Sequence, residues 1–145
     1  MENLFSALNV QISNWSVLYT KLHRYHWFVK GPLFFTLHEK FEELYNEAAG
    51  VVDEAAERLL AIGGKPVATM KEYLSIATIE ETNGETNAND MVASLINDYK
   101  LLKTELKELA DLADQHDNDT INDLAVELLV KVDTHIWMLS AYLGE

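Results

Sequence analysis

The chain has 145 residues, of which 48% are hydrophobic, and this excludes a disordered acidic tail and allows one domain with a sizeable core. Its 24 acidic residues outnumber its 11 basic residues, and the formal net charge of −13 argues against non-specific binding to nucleic-acid phosphates. Cysteine is absent, which excludes disulfides, iron–sulfur clusters and thiolate zinc sites.

The first two helices are predicted from apolar spacing. From Leu4 to Val29, apolar residues recur at intervals of three, four or seven, as on one face of a helix. Gly31-Pro32 interrupts this pattern because the residue before a proline disfavours helical dihedrals. A second helix is predicted from Thr36, where Thr36-Leu37-His38-Glu39 has the form of a capping box, and it should end at Gly63-Gly64.

The rest of the chain is predicted as a long crossover followed by two more helices. The stretch 65–88 is polar and rich in turn formers, but Thr69-Met70-Lys71-Glu72 can cap a short extra helix. Apolar periodicity then predicts a third long helix over 91–113 and a fourth over 121–143. Two helical hairpins joined by one crossover predict an all-α, ferritin-like four-helix bundle, with residues 1–145 as a single domain.

A polar stripe on the second helix is the first candidate for function. On a helical wheel of about 100° per residue, the stripe lies apart from the apolar face and consists of His38, Glu42, Asp53 and Glu57. It contains two i,i+4 pairs, the spacing at which two side chains can reach one metal ion. The pairs are about 16 Å apart at a rise of about 1.5 Å per residue. One helix therefore cannot bring both pairs to a single metal.

A two-fold axis near residues 47 and 48 would remove this difficulty. A second copy of the helix, running antiparallel, would place its carboxylate pair opposite the histidine-containing pair of the first. Such a crossing needs small side chains, and Ala49 and Gly50 lie at or close to the stripe there, with Ala56 further along. The spacing thus predicts a metal site that is shared between subunits and occurs twice per dimer.

A histidine of the first helix is the remaining candidate ligand. His26 extends the apolar face of that helix, and His23 lies on a similar side. Taken singly, each candidate could also have no metal-binding role: a carboxylate could simply be solvated, and a histidine could lie at the edge of the core. We expect that edge-of-core position for His135 and a position in a polar loop for His116. The combination favours a metal site that suits ferrous iron or zinc, with the ligands His26, His38, Glu42, Asp53 and Glu57.

Around these residues the sequence resembles the Dps family of mini-ferritins, the DNA-binding proteins from starved cells. The resemblance extends over essentially the whole chain, and its blocks are His26–Pro32, Phe34–Lys40, Asp53–Gly64 and His135–Met138. It implies a hollow shell of twelve identical subunits with ferroxidase centres at two-fold interfaces. Fe(II) would be oxidised there by hydrogen peroxide and stored as Fe(III), which would protect the cell from oxidative stress, and zinc could substitute for iron.

The resemblance also assigns the ligands to subunits. His26, His38 and Glu42 would come from one subunit, and Asp53 with Glu57 from its partner, with no catalytic group beyond the metal ligands. Many members have Asp where this chain has Glu42, and the additional methylene could shift the ligand by about 1 Å, within the range of a rotamer change. No Glu-x-x-His motif is present, which argues against an ordinary ferritin or a di-iron oxygenase.

Two further acidic regions gain a possible role from the resemblance. In some members acidic residues line three-fold pores that admit iron, and the matching link before the fourth helix contains Asp114, Asp119 and Asp123. Capping and solvation of that link explain these residues equally well. On the wheel a second acidic strip, which could nucleate mineral if it faces the cavity, consists of Glu43, Glu47 and Glu54.

Nucleoid protection by DNA binding is the alternative function. Family members that bind DNA often use a mobile basic tail, which neither end of this chain has, and Lys100, Lys103 and Lys107 are interspersed with acids. DNA binding is therefore not expected, and a metal-independent helical assembly is a third possibility. No secretory signal is evident and no segment approaches the roughly 18 apolar residues of a membrane helix, so we expect a cytoplasmic protein without a membrane partner.

Overall fold

The computed structural model describes all residues, 1–145, and contains only helices. In chain order they are α1 (Glu2–Phe28), α2 (Phe34–Ala61), α3 (Met70–Ile76), α4 (Ala88–Gln115) and α5 (Asp119–Tyr142). The main packing is of α1 along α2 and of α4 along α5, while α1 also packs against α4 and against the short α3. The predicted all-α four-helix bundle with an extra helix in its crossover is confirmed.

One cluster of 32 buried hydrophobic residues forms the core between the helices. Its largest fully buried side chains are Trp15, Tyr25, Phe41 and Tyr99, which come from α1, α2 and α4. This burial of the apolar faces leaves the polar stripe of α2 on the outside of the bundle. None of the five helices combines the length and apolarity that crossing a bilayer requires.

The beginning of α2 differs from the sequence prediction. The helix begins at Phe34 with Leu33 as its N-cap, and no side chain caps it. The predicted capping box at Thr36 is wrong because backbone bonds start the helix earlier: the Phe34 N–H donates to the carbonyl of Gly31 at 3.1 Å, and the Leu37 N–H donates to that of Leu33 at 3.0 Å. Phe34 also packs against the core, which holds this first turn in place.

Two other predicted signals are confirmed, the stop at the end of α2 and the cap at the start of α3. After α2, Gly63 adopts a φ of +94°, and the N–H groups of Gly63 and Gly64 donate to the carbonyls of Leu60 and Leu59. This is a Schellman termination, which requires a left-handed residue and therefore favours glycine. At α3, the Thr69 hydroxyl accepts a hydrogen bond from the N–H of Glu72, as the capping pattern predicts.

Buried hydrogen bonds tie the crossover to the bundle. The Asn14 side chain on α1 is fully buried, donates to Thr78 and Glu105, and accepts from the N–H groups of Thr78 and Ile79. The Tyr25 hydroxyl donates to the Glu85 carboxylate at 2.7 Å. These bonds fix the crossover against α1 and α4, so that it does not cover the stripe on α2.

Candidate metal centre

His26 and His38 meet where α1 ends and α2 begins. Their rings are stacked, with centroids 3.7 Å apart. The Nδ1 atom of each ring lies within hydrogen-bond distance of the other residue's backbone carbonyl, at 2.6 Å for His26 and 2.8 Å for His38. A carbonyl oxygen only accepts, so both Nδ1 atoms must donate a proton. A metal-ligating histidine needs this orientation, because a ring with its proton on Nδ1 can offer the lone pair of Nε2 to a metal.

Glu42 lies next to this pair, one turn along α2 from His38. Its Oε1 atom is 3.9 Å from the Nε2 atom of His26, too far for a hydrogen bond. Neighbouring ligand atoms on one metal, each about 2.1 Å from it, are separated by about 3.0–3.4 Å. A small rotation of the Glu42 side chain, which is 51% exposed, would close this difference. At 3.9 Å the two atoms lie at the outer limit of an ion pair, and they would have to approach by about 0.5–0.9 Å to bind one metal.

The remaining two predicted ligands do not reach this group. Asp53 and Glu57 are exposed on the same helix, about 16 Å and about 22 Å from Glu42 by helical rise. Within one chain, no three histidine, aspartate or glutamate side chains come together as a group that could hold a metal ion. Each chain thus carries two partial donor sets at separate positions on one uncovered face.

Between the two donor sets, α2 has small side chains that are exposed to solvent. Ala49 and Gly50 are both exposed, and a Cβ atom added to Gly50 would meet no atom within 4 Å. Gly50 has no positive φ, so its helix does not need glycine for backbone reasons. Because glycine inside a helix costs about 0.5–1 kcal/mol relative to alanine, its presence suits close approach by another backbone.

The candidate pore residues surround the turn between α4 and α5. This turn, His116–Asn118, is shorter than the predicted polar link because α4 continues to Gln115 and α5 begins at Asp119. Asn118 caps α5, which leaves the aspartates free of that role. The three predicted pore residues are exposed and take part in no ion pair within the chain: Asp114, Asp119 and Asp123.

Each residue of the second acidic strip lies beside a histidine, arginine or lysine side chain. Glu47 is half-buried, and its Oε1 atom lies 2.8 Å from Nε2 of His135, a buried residue of α5 as expected. Glu54 forms a 3.0 Å ion pair with Arg58, and Glu43 a looser one with Lys40. The strip therefore presents less free negative charge than the helical wheel indicates.

Tyr45 is a site residue that the sequence analysis missed. Its hydroxyl donates a long hydrogen bond of 3.5 Å to Oε1 of Glu42. Burial, followed by the charge of Glu42, raises the pKa of Tyr45, so the hydroxyl keeps its proton. The available signal was the i,i+3 spacing of Glu42 and Tyr45, which places neighbouring side chains on one helix face.

Comparison with known sequences gives one consistent family. A family model described as a ferritin-like domain matches residues 5–145. General stress protein 20U of Bacillus subtilis is 52% identical over 143 residues, which cover 99% of each chain. DNA protection during starvation protein 2 of Bacillus anthracis is 50% identical over 144 residues, again with 99% of each chain covered.

Solved structures agree with this result. A Dps protein from Bacillus brevis superposes with a TM-score of 0.96 at 48% identity, covering 98% of this chain and 95% of that one. Dps from Listeria innocua, in a crystal soaked with zinc, gives a TM-score of 0.95 at 40% identity, with 98% and 97% covered. With its helical bundle and near full-length matches, the chain belongs to the ferritin-like family and, within it, to the Dps proteins.

Proposed function

We propose that this protein is a ferroxidase mini-ferritin, which oxidises Fe(II) at sites shared by two subunits and stores Fe(III) in a hollow dodecamer. Membership of the Dps family supports iron storage in general. The observation that carries the finer proposal is a partial site formed by His26 at the end of α1 with His38 and Glu42 on α2, in which both Nδ1 atoms face carbonyls and Oε1 of Glu42 is 3.9 Å from Nε2 of His26. A partner's Asp53 and Glu57 would complete it, placed opposite by an antiparallel crossing over Gly50.

The donor set suits the proposed reaction. Imidazole nitrogen binds Fe(II) well, and carboxylate oxygen favours the harder Fe(III) that forms. Two Fe(II) ions would each give one electron to hydrogen peroxide, whose O–O bond breaks, and two protons would complete two water molecules. A single Fe(II) ion would instead release hydroxyl radical, so pairing the irons protects the cell. The same N/O set would accept Zn²⁺ as a substitute that cannot be oxidised.

Iron would enter through the proposed pores. Asp119 and Asp123 lie one turn apart at the start of α5, and Asp114 lies just before the turn. Repetition around a three-fold axis would concentrate these unpaired carboxylates and draw Fe²⁺ toward the interior. Fe(III) would then leave the oxidation site and mineralise in the cavity.

Protection of DNA by this route requires no contact with DNA. Relatives are named for DNA protection, but this chain has a net charge of −13, which repels phosphates. Removal of Fe(II) and peroxide would protect DNA at a distance. We therefore expect no retardation of duplex DNA in a gel at low salt, and tight binding there would instead support the alternative function of a nucleoid protein.

The direct test is anaerobic oxidation of Fe(II) by added peroxide. His26→Ala combined with His38→Ala should reduce the rate at least tenfold, because it removes both nitrogen ligands. Lys71→Ala, at an exposed position on α3 and outside both the proposed metal site and the proposed pore, is the control and should retain the wild-type rate. An unchanged rate in the double variant would refute the ferroxidase site. Sedimentation of the wild-type particle tests the shell, since a monomer or simple dimer would contradict it.

A further inference from the structure

The carboxylate of Glu42 needs something to hold it. The side chain has three rotatable bonds and is half exposed, so most of its rotamers point the carboxylate away from His26. An aspartate at this position would be shorter by one methylene and would have fewer rotamers. Two polar atoms of other residues lie near Oε1 of Glu42, namely Nε2 of His26 at 3.9 Å and the Tyr45 hydroxyl at 3.5 Å.

The ring of Tyr45 is itself fixed by aromatic neighbours. It stacks on His23, with centroids 3.8 Å apart and planes 17° apart. Tyr19 and His26 pack against it in T-shaped arrangements, at centroid distances of 5.9 Å and 5.3 Å. A ring held on three sides cannot swing away, so its hydroxyl has a defined position beside Glu42.

We propose that Tyr45 is a positioning residue, whose hydroxyl holds Oε1 of Glu42 beside Nε2 of His26 and so compensates for the longer side chain. This inference rests on the proposed metal site and explains how the site uses glutamate. His23 supports the arrangement because its ring stacks on that of Tyr45. The chain thus contains a matched pair, Glu42 with Tyr45.

A double-mutant cycle tests the pairing without using the oxidation reaction. Co²⁺ binding is measured by its visible absorption in the wild type, Tyr45→Phe, Glu42→Asp and the double variant. Tyr45→Phe keeps the ring and its packing, and we expect it to weaken Co²⁺ binding about fivefold, the effect of one modest hydrogen bond. In the Glu42→Asp background the same change should have no effect, because the shorter carboxylate does not reach the hydroxyl.

Tyr19→Phe is the matched control, since Tyr19 belongs to the same aromatic cluster and its hydroxyl makes no hydrogen bond to Glu42. It should bind Co²⁺ like the wild type. Wild-type affinity in Tyr45→Phe, or an equal loss in both backgrounds, would overturn the positioning role while leaving the metal site intact. If His26→Ala also bound Co²⁺ like the wild type, both the proposed site and the role of Tyr45 would be refuted.

Discussion

Mixed subunits give the sharpest test of a metal site shared across a two-fold axis. One variant lacks the histidine half, through His26→Ala and His38→Ala, and the other lacks the carboxylate half, through Asp53→Asn and Glu57→Gln. Each variant alone should be inactive, because every site in its homodimer lacks one half. Along α2, Glu42 beside the histidines and Asp53 of the carboxylate half lie about 16 Å apart, too far for one chain to bring both halves to a single metal.

The expected recovery follows from counting sites. Random pairing of equal amounts makes half of the dimers mixed, and each mixed dimer contains one intact site and one doubly defective site. About a quarter of all sites should therefore be active, whereas a site built within one subunit would give none. Mixing the wild type with a variant defective in both halves separates the models again, since a shared site predicts about a quarter of the wild-type activity and an unshared site about half.

The assay is peroxide-dependent Fe(II) oxidation after dissociation and joint reassembly of the subunits. Particle size before and after reassembly must agree between samples, so that activity is compared at equal assembly. Recovery near a quarter in both mixtures supports the shared site. No recovery in the first mixture and half activity in the second would refute the two-fold arrangement, even if each variant bound iron.

Two further predictions concern assembly and pH. Gly50→Ala should raise the stability of the dissociated chain by about 0.5–1 kcal/mol in urea unfolding but weaken dimer formation in sedimentation, because the new methyl group lies at the proposed crossing. Burial raises the pKa of Glu85, but hydrogen bonds from Thr82 and Tyr25 outweigh it and lower the pKa from 4.5 to about 2. The difference in Tm between wild type and Glu85→Gln should thus be constant above pH 4.5 and shrink as the pH falls toward 2; a constant difference throughout would contradict this assignment.

Most of the fold could be predicted because its signals are local. Apolar residues at helical spacing predict the four long helices, and a left-handed glycine at Gly63 ends α2 where the sequence indicates. The beginning of α2 could not be predicted from capping residues. There the backbone of Gly31 and Leu33 supplies the first acceptors, and the packing of Phe34 selects the first turn, which is a tertiary effect.

The candidate site was predictable as a pattern but not as a geometry. Helical spacing places His38 and Glu42 one turn apart, yet it does not indicate that His26 and His38 bind each other's carbonyls across a turn. Tyr45 was missed because a tyrosine at i+3 is ordinary on a half-buried helix face. Its role becomes visible only when the ring is seen between His23, Tyr19 and His26.

The functional significance of the net charge depends on which carboxylates form ion pairs within the chain and which do not. Of the acidic strip on the wheel, Glu54 forms an ion pair with Arg58, which compensates its charge within the chain, and Glu47 is within hydrogen-bond distance of His135. The carboxylates at the turn before α5 and on the far half of the α2 stripe have no such partner: Asp114, Asp119, Asp123, Asp53 and Glu57. Unpaired carboxylates repel one another when subunits assemble, and bound cations relieve that repulsion. Five of the carboxylates that no ion pair compensates therefore lie at the two places where the proposed function requires Fe(II), its entry and its oxidation.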